Sequence, residues 1–134
     1  MITEDYCSFE TAKLLKNKGF GGECFSMYVT PKPHSGMGNP NEAKIVPHGR
    51  DSHYYEGYEY QCEAPTIQMA MKWLREVHNI SIEPLVDFGS GDEYWWTADV
   101  GYIKKDGLID ELCGYNSYEQ AAGAAIKYCL ENLI

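Results

Sequence analysis

The sequence predicts a single α+β domain, in which three helices pack on one mainly antiparallel sheet of about four or five strands. Apolar residues recur at helical spacing in two segments, APTIQMAMKWLREVH and SYEQAAGAAIKYCLENLI. Between them, the segment from Tyr94 to Ile103 alternates with a period of two, as a half-buried strand does. The face with Trp96 is predicted to be the interior, and it holds Tyr94, Trp96, Ala98, Val100 and Tyr102. Apolar helix faces must be buried, so this order predicts a layered domain over residues 1–134.

The N-terminal half is predicted to hold one helix and two strands around a long loop. The helix runs from about Ser8, a good N-cap, to Lys18. The strands are Cys24–Thr30 and the tyrosine-rich Tyr54–Cys62. A Pro- and Gly-rich loop at about 31–53 separates them, and its Ile45-Val46 step can form a short strand. Loops of this length are often functional.

The C-terminal half begins with the clearest helix, which Pro65 opens. Its apolar stripe is Ile67, Ala70, Met71, Leu74 and Val77. Strands follow at Ile80–Val86, where Pro84 favours an edge position or a bulge, at Tyr94–Ile103 and at Leu108–Cys113.

The last helix spans about Tyr118 to Asn132, with a capping box of Ser117 and Gln120. Its predicted buried stripe is Ala122, Ala125, Ile126, Cys129 and Leu133.

Charge and composition exclude several classes of protein. The chain has 20 Asp and Glu against 11 Lys and Arg, a net charge of −9, so direct nucleic-acid binding is disfavoured. No apolar run approaches the roughly 20 residues of a membrane span, and the acidic N-terminus is unlike a signal peptide. The five cysteines are odd in number and have no C-x-x-C spacing, which favours reduced thiols and a cytoplasmic location.

Three segments of the chain resemble a known group of proteins. They are MITEDYCSFETAKLLKNKGF, APTIQMAMKWLREVH and YNSYEQAAGAAIKYCLENLI, about 55 of the 134 residues. They look like small uncharacterised proteins from phages and mobile elements of gut anaerobes, and the layout is loosely similar to phage α-β-α sandwich domains. The resemblance implies a fold and a genomic setting, with host cytoplasm as the location of a phage-encoded copy. It implies no activity, ligand or catalytic residue.

The loop histidines are candidate metal ligands. His34, His48 and His53 lie near Asp51 and Glu56, and imidazole with carboxylate is a zinc ligand set. Their spacing matches no H-x₃₋₅-H or H-E-x-x-H pattern, so polar loop residues in water are the simpler interpretation. A metal-binding module or a small metal-dependent hydrolase is therefore an alternative function.

The stretch from Glu83 to Glu111 holds eight carboxylates. A solvated acidic face is the favoured interpretation. A sharper hypothesis is mimicry, in which the carboxylates take the place of phosphates and inhibit a host DNA-binding protein.

Aromatic residues are numerous, with eleven Tyr, three Trp and four Phe. Tyr94-Trp95-Trp96 places rings on both faces of its strand, so Trp95 either packs under a second layer or anchors an interface. Tyr54 and Tyr58 are interface candidates on the tyrosine-rich strand for the same reason.

Catalytic and cofactor motifs are not found. G-x-S-x-G is missing, and GFGGE from Gly19 to Glu23 lacks the G-K-[ST] ending of a phosphate loop. We predict no catalytic residue, no cofactor and no dedicated metal site. The favoured function is a non-enzymatic phage or mobile-element accessory protein that binds another protein or a second copy of itself.

Overall fold

A computed structural model describes residues 3–49, 55–105 and 107–134. Within these ranges the helices are α1 (Phe9–Asn17), α2 (Ile67–His78) and α3 (Tyr118–Asn132). The strands are β1 (Ser26–Pro31), β2 (Lys44–Pro47), β3 (Tyr58–Glu63), β4 (Ile80–Phe88), β5 (Tyr94–Tyr102) and β6 (Leu108–Tyr115). The α+β class is confirmed.

The strands form two antiparallel sheets, with the orders β2-β1-β3 and β4-β5-β6. The sequence predicted one sheet of about four or five strands instead. Strands β3 and β4, which α2 separates along the chain, belong to different sheets. Nothing in the strand sequences themselves shows which strands pair. Pro84 does lie in an edge strand, as predicted.

The chain divides into two compact units. Unit 1 comprises Met1–Asp5 and Thr66–Ile134, and unit 2 comprises Tyr6–Pro65. Unit 1 carries 13 Asp and Glu against 5 Lys and Arg, whereas unit 2 carries 7 against 6. The acidity of the chain is therefore concentrated in unit 1. The single domain over residues 1–134 stays a prediction.

Unit 2 packs α1 against its sheet through β3. Its apolar cluster joins Ala12 of α1 to Tyr28, Cys62 and Ala64. Ser8 caps α1 as predicted, because its Oγ accepts the N–H of Thr11 at 3.2 Å. β2 forms at the predicted Ile45-Val46 step and pairs with β1.

Unit 1 packs α2 and α3 on one face of the β4-β5-β6 sheet, since the two helices contact the sheet and each other. The ring of Trp96 meets Tyr118 of α3 edge-on at 5.7 Å, and Ala98 and Val100 are fully buried. These three residues alternate along β5, so their face is the interior, as the sequence predicted. Ser117 caps α3 by accepting the N–H of Gln120 at 3.1 Å.

Three predicted details of unit 1 are wrong. Val77 is 57% exposed and leaves the apolar stripe of α2 at its last turn. Tyr94 belongs to the interior face of β5 by alternation but is 63% exposed, because it lies at the hairpin end of the strand. Pro65 does not open α2, because the N-cap of the helix is Thr66, whose Oγ1 accepts the backbone N–H of Met69.

Helix α3 approaches the sheet through small residues, and this closeness is testable. Ala125 is fully buried, so Ala125→Leu should lower the free energy of unfolding by about 1–3 kcal/mol through overpacking. Gly123→Ala is the matched control on the same helix. A Cβ there meets no atom within 4 Å, so the change should raise the free energy of unfolding by up to about 1 kcal/mol. Urea unfolding followed by circular dichroism measures both, and an unaffected Ala125→Leu variant would contradict the close packing.

Candidate functional site

The candidate histidines that the structure describes, His34 and His48, lie in different parts of unit 2. His34 is exposed in the loop after β1, where its backbone has a positive φ of 63°. His48 directly follows β2 and lines a cleft in unit 2. His53 lies outside the described residues. Among residues 3–49, 55–105 and 107–134, no group of three or more His, Cys, Asp or Glu is placed to hold a metal ion.

The cleft of unit 2 has a volume of about 600 Å³. Three parts of the chain form it: the last turn of α1 with the loop that follows, the residue after β2, and strand β3. The lining residues are Lys16, Phe20, Gly21, Gly22, Glu23, Cys24, His48, Tyr60 and Glu63. Ligand pockets commonly have volumes of about 300–1,000 Å³ and a few converging polar groups, so this cleft has the size of a binding site.

Glu63 is the centre of the hydrogen-bond network in the cleft. Its Oε1 accepts the backbone N–H of Cys24 at 3.1 Å, and its Oε2 accepts the hydroxyl of Tyr60 at 3.0 Å. The Nε2 atom of His48 lies 2.9 Å from both carboxylate oxygens. One carboxylate thereby ties together the loop after α1, the end of β2 and strand β3.

The same carboxylate changes the acidity of its neighbours. Burial, followed by the hydrogen bond to Glu63, raises the pKa of Tyr60 from 10.0 to about 12. Burial, followed by the charge of Glu63, raises the pKa of Cys24 from 9.0 to about 11. The Cys24 thiol therefore keeps its proton at neutral pH, and its Sγ donates to the carbonyl of Gly22 at 3.8 Å. A thiolate nucleophile needs the opposite shift.

Lys16 supplies positive charge beside the cleft. Its Nζ donates to the carbonyl of Gln61 at 2.7 Å and lies 5.3 Å from the centre of the Tyr60 ring. Burial raises the pKa of Cys62, while the positive charges of Lys16 and Lys13 oppose that rise. The field of these two ammonium groups thus reaches the β3 side of unit 2.

Sequence reasoning did not find this cleft. Lys16, His48 and Glu63 are separated by 32 and 15 positions in the chain, a spacing that matches no motif. The glycines at 21 and 22 were the one local signal, but the GFGGE segment matched no phosphate-loop motif. Their role here is spatial, because a Cβ on Gly22 would lie 3.1 Å from the ring of Phe20.

The interface candidates have different surroundings. Trp95 of unit 1 is half-buried on the sheet face opposite α2 and α3, and packs against Gly89, where an added Cβ would lie 3.0 Å from its ring. Tyr58 of unit 2 is half-buried, with the Nζ of Lys44 4.2 Å from its ring centre. Tyr54 lies outside the described residues.

A pair of exposed aromatic residues stands at the end of the β4–β5 hairpin. Phe88 and Tyr94 are direct cross-strand partners, and they are 79% and 63% exposed. The backbone N–H of Gly89 donates to the carbonyl of Glu93 at 3.0 Å and closes the turn beyond them. We call these two residues the hairpin aromatic pair.

Three carboxylates lie side by side across the β4-β5-β6 sheet. Glu83 pairs with Asp99, and Asp99 pairs with Glu111. Asp99 lies between the two interior residues Ala98 and Val100, so this carboxylate row is on the face opposite the helices. Glu83 and Glu111 are exposed and Asp99 is half-buried. Like charges directly opposite each other destabilise a sheet, so the row costs stability.

Comparison with known proteins gives no assignment: no family model, curated protein or solved structure matches the chain. Within the described ranges, every helix is too short or too polar to cross a membrane. All five cysteines are among the described residues, and none is in a disulfide.

The metal hypothesis predicts a measurable zinc content. Because His48 is already bound to Glu63 and the described residues form no ligand cluster, we expect well under one zinc per chain in purified protein. Elemental analysis after zinc loading and dialysis measures it. Stoichiometric zinc that is lost in His48→Ala or His53→Ala, and kept in the control His34→Ala, would overturn the expectation.

The Glu63 network predicts the titration of Tyr60. The raised pKa of the folded state stabilises the protein fully below pH 10, and this contribution is lost as the pH rises towards 12. Glu63→Gln removes the negative charge beside the phenol, so the pKa of Tyr60 should fall towards 10. NMR of tyrosine labelled with ¹³C at Cζ measures the shift. Glu59→Gln, on the same strand, is the control, and an unchanged pKa in Glu63→Gln would contradict the network.

Proposed function

We propose that the chain is a non-enzymatic accessory protein that acts by binding another protein through unit 1. The hairpin aromatic pair, Phe88 and Tyr94, is the observation that carries the proposal. Burying two large exposed rings against a partner would gain roughly 25 cal/mol for each Å² of apolar surface removed from water. Aromatic residues are enriched among the hot spots of protein interfaces, and Tyr is prominent there.

The charge of unit 1 specifies the kind of partner. The carboxylate row and the excess of 13 acidic over 5 basic residues favour a partner with a basic surface. Lys105 borders the cleft that contains Glu83 and Asp99, and is the one cation among the described residues of its lining. A basic partner would relieve the repulsion within the row, so the stability that the row costs would be regained on binding.

Mimicry of DNA is the second candidate, and the carboxylate row favours it specifically. Neighbouring strands are about 4.8 Å apart, so the three carboxylates extend over about 10 Å in a line. A row of regularly spaced negative charges can occupy a basic groove that otherwise holds phosphates. In this form of the proposal the partner is a DNA-binding protein of the host, and binding inhibits it.

The setting of the proposal is a phage or mobile element, with action in the cytoplasm. The resemblance of the three segments supports the first part. The five cysteines without a C-x-x-C spacing support the second. A second copy of this chain is also a possible partner, with a two-fold axis near the aromatic residues.

Affinity capture with matched variants tests the proposal. Phe88→Ser/Tyr94→Ser should lose a partner that the wild type captures, because the apolar anchor is removed. Val77→Ser is the control, since Val77 is also an exposed apolar residue of unit 1, at 57%. Capture should fall steeply between low and high salt, and in Glu83→Gln/Asp99→Asn/Glu111→Gln. Identical capture by wild type and both surface variants would refute the proposal.

Two further experiments distinguish DNA mimicry and self-association from binding of another protein. Release of the captured partner by duplex DNA supports mimicry, whereas retention supports binding at another surface. Sedimentation of the purified protein tests self-association, and a dimer that dissociates in Phe88→Ser/Tyr94→Ser identifies a second copy as the partner.

A further inference from the structure

We propose that the cleft of unit 2 is a binding site for a small organic anion, a ring that bears a carboxylate or a phosphate group. Lys16 holds the anionic group, and the rings of Phe20 and Tyr60 flank the ring of the ligand. This site is independent of the surface of unit 1 that we propose for protein binding. It rests on the hydrogen-bond capacity, the charge and the shape of the cleft.

Hydrogen-bond capacity distinguishes an anion from a cation as the ligand. The carboxylate of Glu63 already receives the N–H of Cys24, the hydroxyl of Tyr60 and the Nε2 of His48. A cationic ligand at Glu63 would have to displace one of these donors. An ammonium group, in contrast, has three donors, and Lys16 gives one of them to Gln61. Among the described residues the structure shows no second acceptor for Lys16, so donors remain for an anion.

The charge around the cleft agrees with an anionic ligand. Unit 2 carries 7 acidic and 6 basic residues and is nearly neutral, whereas unit 1 would repel an anion. Among the described lining residues, Lys16 supplies the positive charge. Glu23 is the other carboxylate among the described lining residues. Glu23 and Lys16 are both exposed, so water and salt screen both charges, and the hydrogen-bond donors of Lys16 are what favour an anion.

The shape and the rings of the cleft favour a ligand with a flat apolar body. The Tyr60 ring is 50% exposed, and the Phe20 ring lies over Gly22, whose lack of a Cβ gives it room. Offset stacking or edge-to-face contact with such rings is favourable for an aromatic ligand. The volume of about 600 Å³ accepts a ligand of one or two rings.

Titration of the isotope-labelled full chain with four small probes tests the site. Phenylacetate and phenyl phosphate carry a ring and an anion, benzylamine carries a ring and a cation, and acetate carries the anion alone. We expect saturable shifts of the backbone NMR signals of Gly21, Gly22 and Cys24 with phenylacetate or phenyl phosphate at millimolar concentration. The stronger of these two identifies a carboxylate or a phosphate ligand. Benzylamine and acetate should bind at least tenfold more weakly.

Variants then assign the role of the ammonium group. Lys16→Gln should weaken binding of the anionic probes about tenfold or more, because a charge-assisted hydrogen bond is lost. Lys16→Arg should restore most of the affinity. Lys13→Gln is the matched control, since the Nζ of Lys13 lies 4.3 Å from the ring centre of Phe9 and outside the lining.

Three results would overturn the proposal. They are shifts that do not saturate, benzylamine binding as tightly as phenylacetate, and an equal loss of affinity in Lys13→Gln and Lys16→Gln. Each can arise while the surface of unit 1 still captures its protein partner, so the two proposals fail separately.

Discussion

The close approach of α3 to the sheet is the constraint on which the arrangement of unit 1 depends. Ala121, Ala122 and Ala125 are all fully buried, and Ala98 on the central strand is buried as well. Small side chains on both elements let the backbones come close, so the interior face of β5 is fixed. Because a strand presents alternate residues to opposite faces, fixing one face also fixes the other. Asp99 and its two carboxylate neighbours therefore lie together as a consequence of how the helix packs.

Unit 2 is organised differently, around a polar group. The carboxylate of Glu63 receives donors from two other parts of the unit and one from its own strand. A buried or half-buried carboxylate stabilises its surroundings only when its oxygens are paired, and the three donors that the described residues supply to Glu63 all lie within unit 2. The same pairing leaves Lys16 as the polar group of the cleft with donors to spare. Among the described lining residues, the pairing of Glu63 thus leaves Lys16 and Glu23 as the exposed charges.

The sequence predicted local structure well because its signals are local. The N-caps Ser8 and Ser117 depend on neighbouring residues, and both are confirmed. The predicted alternation along β5 holds at Ala98 and Val100, whereas Tyr94 is exposed and Thr97 is fully buried. The division into two sheets and the Glu63 cluster depend on pairing between distant segments, which no periodicity encodes. The carboxylate row needed one more fact, the strand register. The register shift between Val100 and Gly101 prevents the pairing of Asp99 with Glu111 from being counted from the β5–β6 turn.

The distribution of charge between the two units affects ligand preference more than the net charge of the chain does. A net charge of −9 disfavours any anionic ligand if the charge is spread evenly, and the sequence-based exclusion of nucleic acid used it in that way. Salt screens charges beyond about 8–10 Å, so a ligand responds to the unit that it touches rather than to the whole chain. Unit 1, with 13 acidic and 5 basic residues, attracts cations, and the nearly neutral unit 2 can hold an anion beside Lys16. The two units of one acidic chain therefore differ in the charge that they offer to a ligand.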